Sequence, residues 1–206
     1  MLEKKKALRK IIKVRVSAIS PDERRKREEI LHNNLFSMPE FLSASSVMLF
    51  ANLPDEIDTF SLIDKCFTMG KKVYLPVING DDMTVAEFTG EYKTGRYGIK
   101  EPVTELVVRS EELGVNDLIT ESSDNACIVR DSVTELVEVP EHFDFILVPG
   151  VAFSPNGYRL GRGKGFYDKF LSKHPLYTVG VCFREQFFLD IPFEPHDVPM
   201  NKVLVV

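Results

Sequence analysis

Apolar positions along this chain recur with two different periods, and the periods separate helices from strands. Leu8, Ile11, Ile12 and the stem of Arg15 fall at helical spacing among lysines and arginines, so residues 2–16 read as a helix. Ser20-Pro21-Asp22-Glu23 is a helix start. Ser20 can cap, Pro21 suits the first helical position, and Glu23 completes a capping box. This second helix is predicted to run to Phe36, with Ile30, Leu31, Leu35 and Phe36 inward, and Met38-Pro39 stops it. Residues 47–51 are a short apolar run bounded by polar residues, which fits a buried strand. Residues 60–69 form an amphipathic helix ended by Gly70. Residues 72–77 and 83–88 read as strands, 95–102 as a loop, 145–150 as an apolar run, 166–173 as a helix, and 177–182 and 203–206 as strands. Strand, helix, strand at this spacing predicts βαβ units, and so an α/β domain with a mostly parallel sheet and right-handed crossovers. No linker or composition break divides residues 1–206, which read as one domain.

Between the run at 145–150 and the helix at 166–173 stands Gly157-Tyr158-Arg159-Leu160-Gly161-Arg162-Gly163-Lys164-Gly165-Phe166-Tyr167-Asp168. Strand, glycine-rich basic loop, helix is an order that gathers backbone N–H groups and cations at a helix N-terminus, where anions bind. The pattern is neither a Walker A loop, since Gly165 follows Lys164, nor a dinucleotide fingerprint, since the glycines alternate. A surface turn with scattered basic residues is the plainer reading. It does not account for four glycines in nine positions, each of which costs backbone entropy on folding.

Net charge is −5 over 206 residues, so a global nucleic-acid footprint is absent. No apolar run approaches a membrane span, and the charged N-terminus has no apolar core behind it. Cys66, Cys127 and Cys182 are far apart and form no C-x-x-C pair. They read as free thiols in a reducing cytoplasm, not as disulfides or zinc ligands.

Val148-Pro149-Gly150-Val151-Ala152-Phe153 together with the glycine loop resembles the signature of the 5-formyltetrahydrofolate cyclo-ligase family, also called 5,10-methenyltetrahydrofolate synthetases. The resemblance extends to Lys5-Lys6-Ala7-Leu8-Arg9, similar to the family's N-terminal ATP motif, and to Glu56-Ile57-Asp58-Thr59, similar to its acidic folate segment. It also includes Gly98-Ile99-Lys100-Glu101-Pro102, Phe183-Arg184-Glu185-Gln186 and Pro195-His196-Asp197. The resemblance implies a three-layer α/β/α fold related to sugar-phosphate isomerases and CoA transferases. It implies ATP and 5-formyltetrahydrofolate as substrates, with the glutamate-tail length left open, Mg²⁺ as cofactor, and a cytoplasmic monomer. By matched position, ATP falls to Lys5, Lys6, Ala7, Leu8 and Arg9, and to Arg159, Leu160, Gly161, Arg162, Gly163, Lys164, Gly165, Phe166 and Tyr167. Folate falls to Leu53, Glu56, Asp58 and Tyr97 and to Arg162, Gly163, Lys164, Gly165 and Phe166. Arg159, Arg162 and Lys164 are the implied catalytic cations, and Asp168 and Asp197 the implied metal ligands.

Plainer readings stand beside several of these. The lysines of the first helix are also a solvated face. Asp58 or Thr59 also suits a helix N-cap, Tyr97 a surface position, and Asp168 a first-turn acid favoured by the helix dipole. A sugar-phosphate or acyl-group enzyme, and a non-catalytic nucleotide-binding regulator, are the competing functions.

Val-Thr-Glu-Leu-Val occurs twice, at 103–107 and 133–137. A direct repeat bracketing unrelated sequence is what a local duplication leaves, so residues 103–132 read as a surface insertion. An added hairpin, with short strands at 117–120 and 126–129, or a lid, is the alternative.

Overall fold

The computed structural model describes residues 1–79, 82–94, 100–106, 143–174 and 176–206. Tyr97, Cys127, the two candidate strands at 117–120 and 126–129, and the second Val-Thr-Glu-Leu-Val copy lie outside them.

Alternate residues of the central strands enter two different apolar clusters. Val47, Val73, Leu75, Phe145, Leu147, Val179 and Val181 belong to one. Met48, Tyr74, Ile146, Val148 and Cys182, which interleave with them, belong to the other. A strand buried on both faces needs cover on both, which is the origin of the layered fold. The first cluster is roofed by four helices. They are α1 (Leu2–Ser17) through Ile12 and Val16, α2 (Pro21–Phe36) through Leu31 and Leu35, α3 (Pro39–Ser43) through Phe41, and α4 (Phe60–Thr68) through Leu62, Ile63 and Cys66. The second is covered by α5 (Phe166–Lys173) through Phe170 and Leu171. The result is the expected three-layer α/β/α sandwich. Phe41 joins layers: it is fully buried and meets Phe145 edge-on at 5.0 Å. Burial of such a ring contributes about 2–3 kcal/mol.

The main sheet contains β1 (Ser46–Met48), β2 (Lys72–Asn79), β3 (Asp82–Thr94), β4 (Lys100–Leu106), β5 (Phe145–Val148), β8 (Thr178–Cys182) and β9 (Lys202–Val205). A separate hairpin pairs β6 (Ala152–Phe153) with β7 (Arg159–Leu160). The order across the main sheet is β4-β3-β2-β1-β5-β8-β9. The pairs β1–β2, β1–β5, β5–β8 and β8–β9 are parallel, while β2–β3 and β3–β4 are antiparallel.

The differences from expectation have local causes. Only residues 80 and 81 separate β2 from β3, too few for a crossover, so the strand read at 83–88 runs antiparallel and extends to Thr94. Residues 100–102, read as loop, begin β4; Pro102 pairs with Tyr92 on an edge strand, where a missing N–H is tolerated. Val103 is also in β4 and buried, so the first residues of the predicted insertion are part of the sheet. Pro39 ends α2 but also occupies the first turn of α3, a helix not anticipated. Ile30, expected inward, is exposed, as is Ile11 of the α1 apolar spacing, because Ile12 with Val16 and Leu31 with Leu35 take the buried stripes. At the α2 start Pro21 and the Ser20 cap are as predicted, Ser20 Oγ accepting from Glu23 N at 3.3 Å, but the Glu23 carboxylate accepts from Arg27 Nε at 2.8 Å and closes no capping box.

No described helix is long and apolar enough to cross a membrane. Cys66 and Cys182 are free and buried, and burial pushes both thiols up to about 12.

Candidate active site

The strand order reverses between β1 and β5, since the chain builds outward from β1 through β2 and then returns to the other side of β1. In open α/β sheets a crevice forms at the carboxyl ends of the strands beside such a reversal. Here the segments leaving β1, β5 and β8 meet there. They enclose a cleft of about 170 Å³ lined by Asp55, Glu56, Gly150, Val151 and Gln186, with Arg9, Ile12, Lys13 and Val16 of α1 and Arg162 of the glycine loop.

Glu56 is held by its own turn, where Oε2 accepts from Leu53 N at 3.0 Å and Glu56 N donates to Leu53 O at 2.9 Å. Its Oε1 accepts from Arg162 Nη2 at 3.0 Å and Nε at 3.3 Å, and Asp55 Oδ1 accepts from Arg162 Nη2 at 2.7 Å. Partial burial disfavours the Arg162 charge, yet bonds to Asp55 and Glu56 leave its pKa raised. A cation of the loop and two carboxylates of the β1 segment therefore bridge the cleft. Asp58 is used differently. Its Oδ1 accepts from Phe60 N and its Oδ2 from Ser61 Oγ, both at 3.1 Å, so Asp58 caps α4. The expected Thr59 side-chain cap is absent: Thr59 Oγ1 donates inward to Phe50 O.

The glycine loop begins at the β6–β7 hairpin. Gly157 has φ 81°, and a Cβ there would lie 2.3 Å from Met200 O, so only glycine fits. Arg159, on β7, is buried; its Nη2 stands 2.9 Å from Asp168 Oδ1 and its guanidinium 5.4 Å from the Tyr167 ring centroid. Among the described residues neither Nε nor Nη2 of Arg159 makes a well-aligned hydrogen bond. Leu160, Phe166 and Tyr167 pack into the apolar clusters. Arg162, Gly163, Lys164 and Gly165 are exposed and Gly161 half-buried. Gly163, at φ 105°, passes over Arg9, whose Nε donates to Gly161 O at 2.9 Å.

Helix α1 thus turns one face to the loop. Lys5 Nζ donates to Glu194 Oε2 at 2.9 Å and Asp197 Oδ2 at 3.3 Å. Burial disfavours its charge, but these bonds leave its pKa raised. Leu8 packs against the core beside Arg9, while Lys6 and Ala7 face outward. The two candidate metal ligands are neighbours: Val198 N, next to Asp197, donates to Asp168 Oδ1 at 3.2 Å. Among the described residues no group of three or more His, Cys, Asp or Glu side chains could hold a metal by itself.

Three polar lining residues, Asp55, Lys13 and Gln186, were not assigned to the site from the sequence. Gln186 is buried, and its Nε2 donates to Gly150 O at 3.1 Å and Val151 O at 3.2 Å. Lys13 lies one helical turn beyond Arg9, a spacing that could have revealed it.

The model of the 5-formyltetrahydrofolate cyclo-ligase family matches residues 1–124 and 128–206. The 5-formyltetrahydrofolate cyclo-ligase of Mus musculus is 27% identical over 97% of this chain and 92% of its own length. That of Escherichia coli is 26% identical over 94% of this chain and 96% of its own. The solution structure of Aquifex aeolicus 5,10-methenyltetrahydrofolate synthetase aligns with a TM-score of 0.71 at 30% identity, covering 98% of this chain and 89% of that one. The Mycoplasma pneumoniae 5,10-methenyltetrahydrofolate synthetase, at 17% identity and a TM-score of 0.65, shares the fold over 97% of this chain and 96% of its own. With a family match spanning nearly every residue, and a glycine loop and acidic turn meeting across one cleft, the chain belongs to the 5-formyltetrahydrofolate cyclo-ligase family.

Proposed function

We propose that the protein converts 5-formyltetrahydrofolate and ATP to 5,10-methenyltetrahydrofolate, ADP and phosphate, with Mg²⁺ as cofactor. The observation that carries this reading is the Arg162–Glu56 contact across the cleft. It brings a glycine-loop cation suited to phosphate beside a carboxylate suited to the ring N–H and amino donors of a pterin.

A formamide carbonyl is a poor electrophile and its oxygen a poor leaving group. Transfer of the γ-phosphoryl group of ATP to the formyl oxygen releases ADP and corrects both defects. N10 of the same folate then attacks the formyl carbon, the carbon–oxygen bond breaks, phosphate departs, and N10 loses its proton. The chain supplies alignment and charge neutralisation, with no protein nucleophile. Arg9, Arg162, Lys164 and the loop N–H groups receive the phosphates, and Arg159 backs them from beneath. Glu56 orients the pterin.

The donor set fits Mg²⁺, which takes one or two carboxylates together with phosphate oxygens. Asp168 keeps Oδ2, and Asp197 keeps Oδ1, without a hydrogen bond among the described residues, while cations orient the other oxygen of each. When bound, the ion supplies charge to the phosphates.

The test is absorbance of the methenyl product, with ATP present and absent and Mg²⁺ titrated. Product at an equal rate without nucleotide, or none with it, defeats the proposal.

A further inference from the structure

The cations of α1 facing the cleft stand in sequence along one stripe. Lys5 contacts Glu194 and Asp197, Arg9 binds the glycine loop at Gly161, and Lys13 lines the cleft one turn further on. At 1.5 Å per residue, Lys13 lies about 6 Å past Arg9 and about 12 Å past Lys5. It is therefore on the side of the loop away from Asp168 and Asp197, where the phosphates are proposed to lie. Lys5 and Arg162 are both engaged by carboxylates, but Lys13 pairs with none among the described residues. Ile12, Val16 and Val151 give the same cleft an apolar lining, which it shares with the acidic pair Asp55 and Glu56.

A folate has the same sequence of chemistry: a pterin rich in donors, an apolar aminobenzoyl ring, and a glutamate carrying carboxylates. On the reading proposed above, Glu56 takes the pterin and the apolar lining takes the ring. We infer that Lys13 is a specificity residue, receiving a carboxylate of the folate's glutamate tail at the end of the cleft remote from ATP. It does not touch the reacting atoms. It selects substrates that carry the anionic tail.

The experiment compares 5-formyltetrahydrofolate with 5-formyltetrahydropteroate, which lacks glutamate, in the wild type and in Lys13→Ala, Lys13→Glu and Lys13→Arg. An ion pair at an exposed lysine predicts a roughly three- to tenfold rise in KM for the folate in Lys13→Ala. The rise is larger in Lys13→Glu and mostly reversed in Lys13→Arg. KM for the pteroate moves little, so wild-type preference for the folate collapses. KM for ATP stays put. A rise in KM for ATP assigns Lys13 to the nucleotide and overturns the inference, as does an equal change with both folate substrates or no change with either. Wild-type protein that turns over neither substrate refutes the proposed function itself, a result separable from any of these.

Discussion

Asp168 stands 2.9 Å from the guanidinium of Arg159, a side chain only 4% exposed, and holds Val198 N with the same oxygen. One carboxylate thus compensates a buried cation and fastens the loop before β9. Asp168→Asn leaves that cation unpaired. We expect a loss of roughly 3 kcal/mol in urea unfolding, as for other broken buried pairs. Much of it should return in the Arg159→Met/Asp168→Asn double variant. If Asp168 also holds Mg²⁺, the single variant, assayed where it is folded, needs more Mg²⁺ for half-maximal rate. A Mg²⁺ titration that overlays the wild type limits Asp168 to its role beside Arg159.

Arg162→Ala and Lys164→Ala should lose about ten- to a hundredfold in kcat/KM, the worth of one charge-assisted phosphate contact. Lys164 is exposed and the Arg162 side chain is 45% exposed, so unfolding midpoints should move little. Arg162→Lys should recover only part of the rate, since an ammonium cannot reproduce the fork that meets Asp55 and Glu56. Wild-type kinetics in both alanine variants would take the loop out of the site.

Glu56 and Asp58 should separate cleanly. Glu56→Gln is expected to raise KM for 5-formyltetrahydrofolate with little change in stability. Asp58→Ala removes the α4 cap and should cost about 1 kcal/mol. A larger rise in KM from Asp58→Ala than from Glu56→Gln would reverse these roles.

Asp144 supplies a pH test. Its Oδ2 accepts from Ser45 N and Ser46 N at 2.8 Å and from Ser46 Oγ at 3.1 Å, tying the start of β5 to that of β1. The Ser46 N–H, chiefly, holds the carboxyl below its ordinary value. A lowered folded-state pKa gives stability that is complete above the unfolded value near ~4 and fades as pH falls through the folded one. Asp144→Asn should be less stable than wild type at pH 7, and the gap should narrow as the protein is acidified below about pH 4. A gap independent of pH would mean that the charge contributes nothing.

Deletion of residues 103–132 should be tolerated. It joins Glu101-Pro102 to Val133-Thr134-Glu135-Leu136, so the sequence of β4 is unchanged even though Val103–Leu106 of the strand are removed. Loop length alters closure entropy only slowly, about 0.6 kcal/mol per doubling. The variant should fold and keep activity within severalfold. Insoluble protein, or folded protein without turnover, would show that the segment packs into the core or serves the site.

What could be read from the residues was what neighbouring residues decide. Helices α2 and α5 emerged with their observed limits because Pro21, Met38-Pro39 and Gly165 act within a few positions of themselves. Strands β1, β5 and β8 emerged because both their faces are apolar. The β3 direction did not, since it depends on how few residues follow β2. Nor did Thr59, whose capping geometry competes with a distant carbonyl at Phe50. In the site, the glycine loop and the β1 turn were legible as motifs. That Arg162 joins them, that Arg159 is buried, and that Lys6 points away from Lys5 and Arg9 are matters of three-dimensional placement.

The Lys5 contacts with Glu194 and Asp197 span 189 and 192 positions of chain. During translation, at about 5–20 residues per second, α1 leaves the ribosome many seconds before its partners exist. For most of that interval its basic face has neither the glycine loop nor the carboxylates to rest on. The candidate cleft, lined from Arg9 to Gln186, is therefore a late product of synthesis, settled only after Glu194 and Asp197 have emerged to hold α1. A nascent chain arrested before residue 194 should be inert however much of the sheet has already formed.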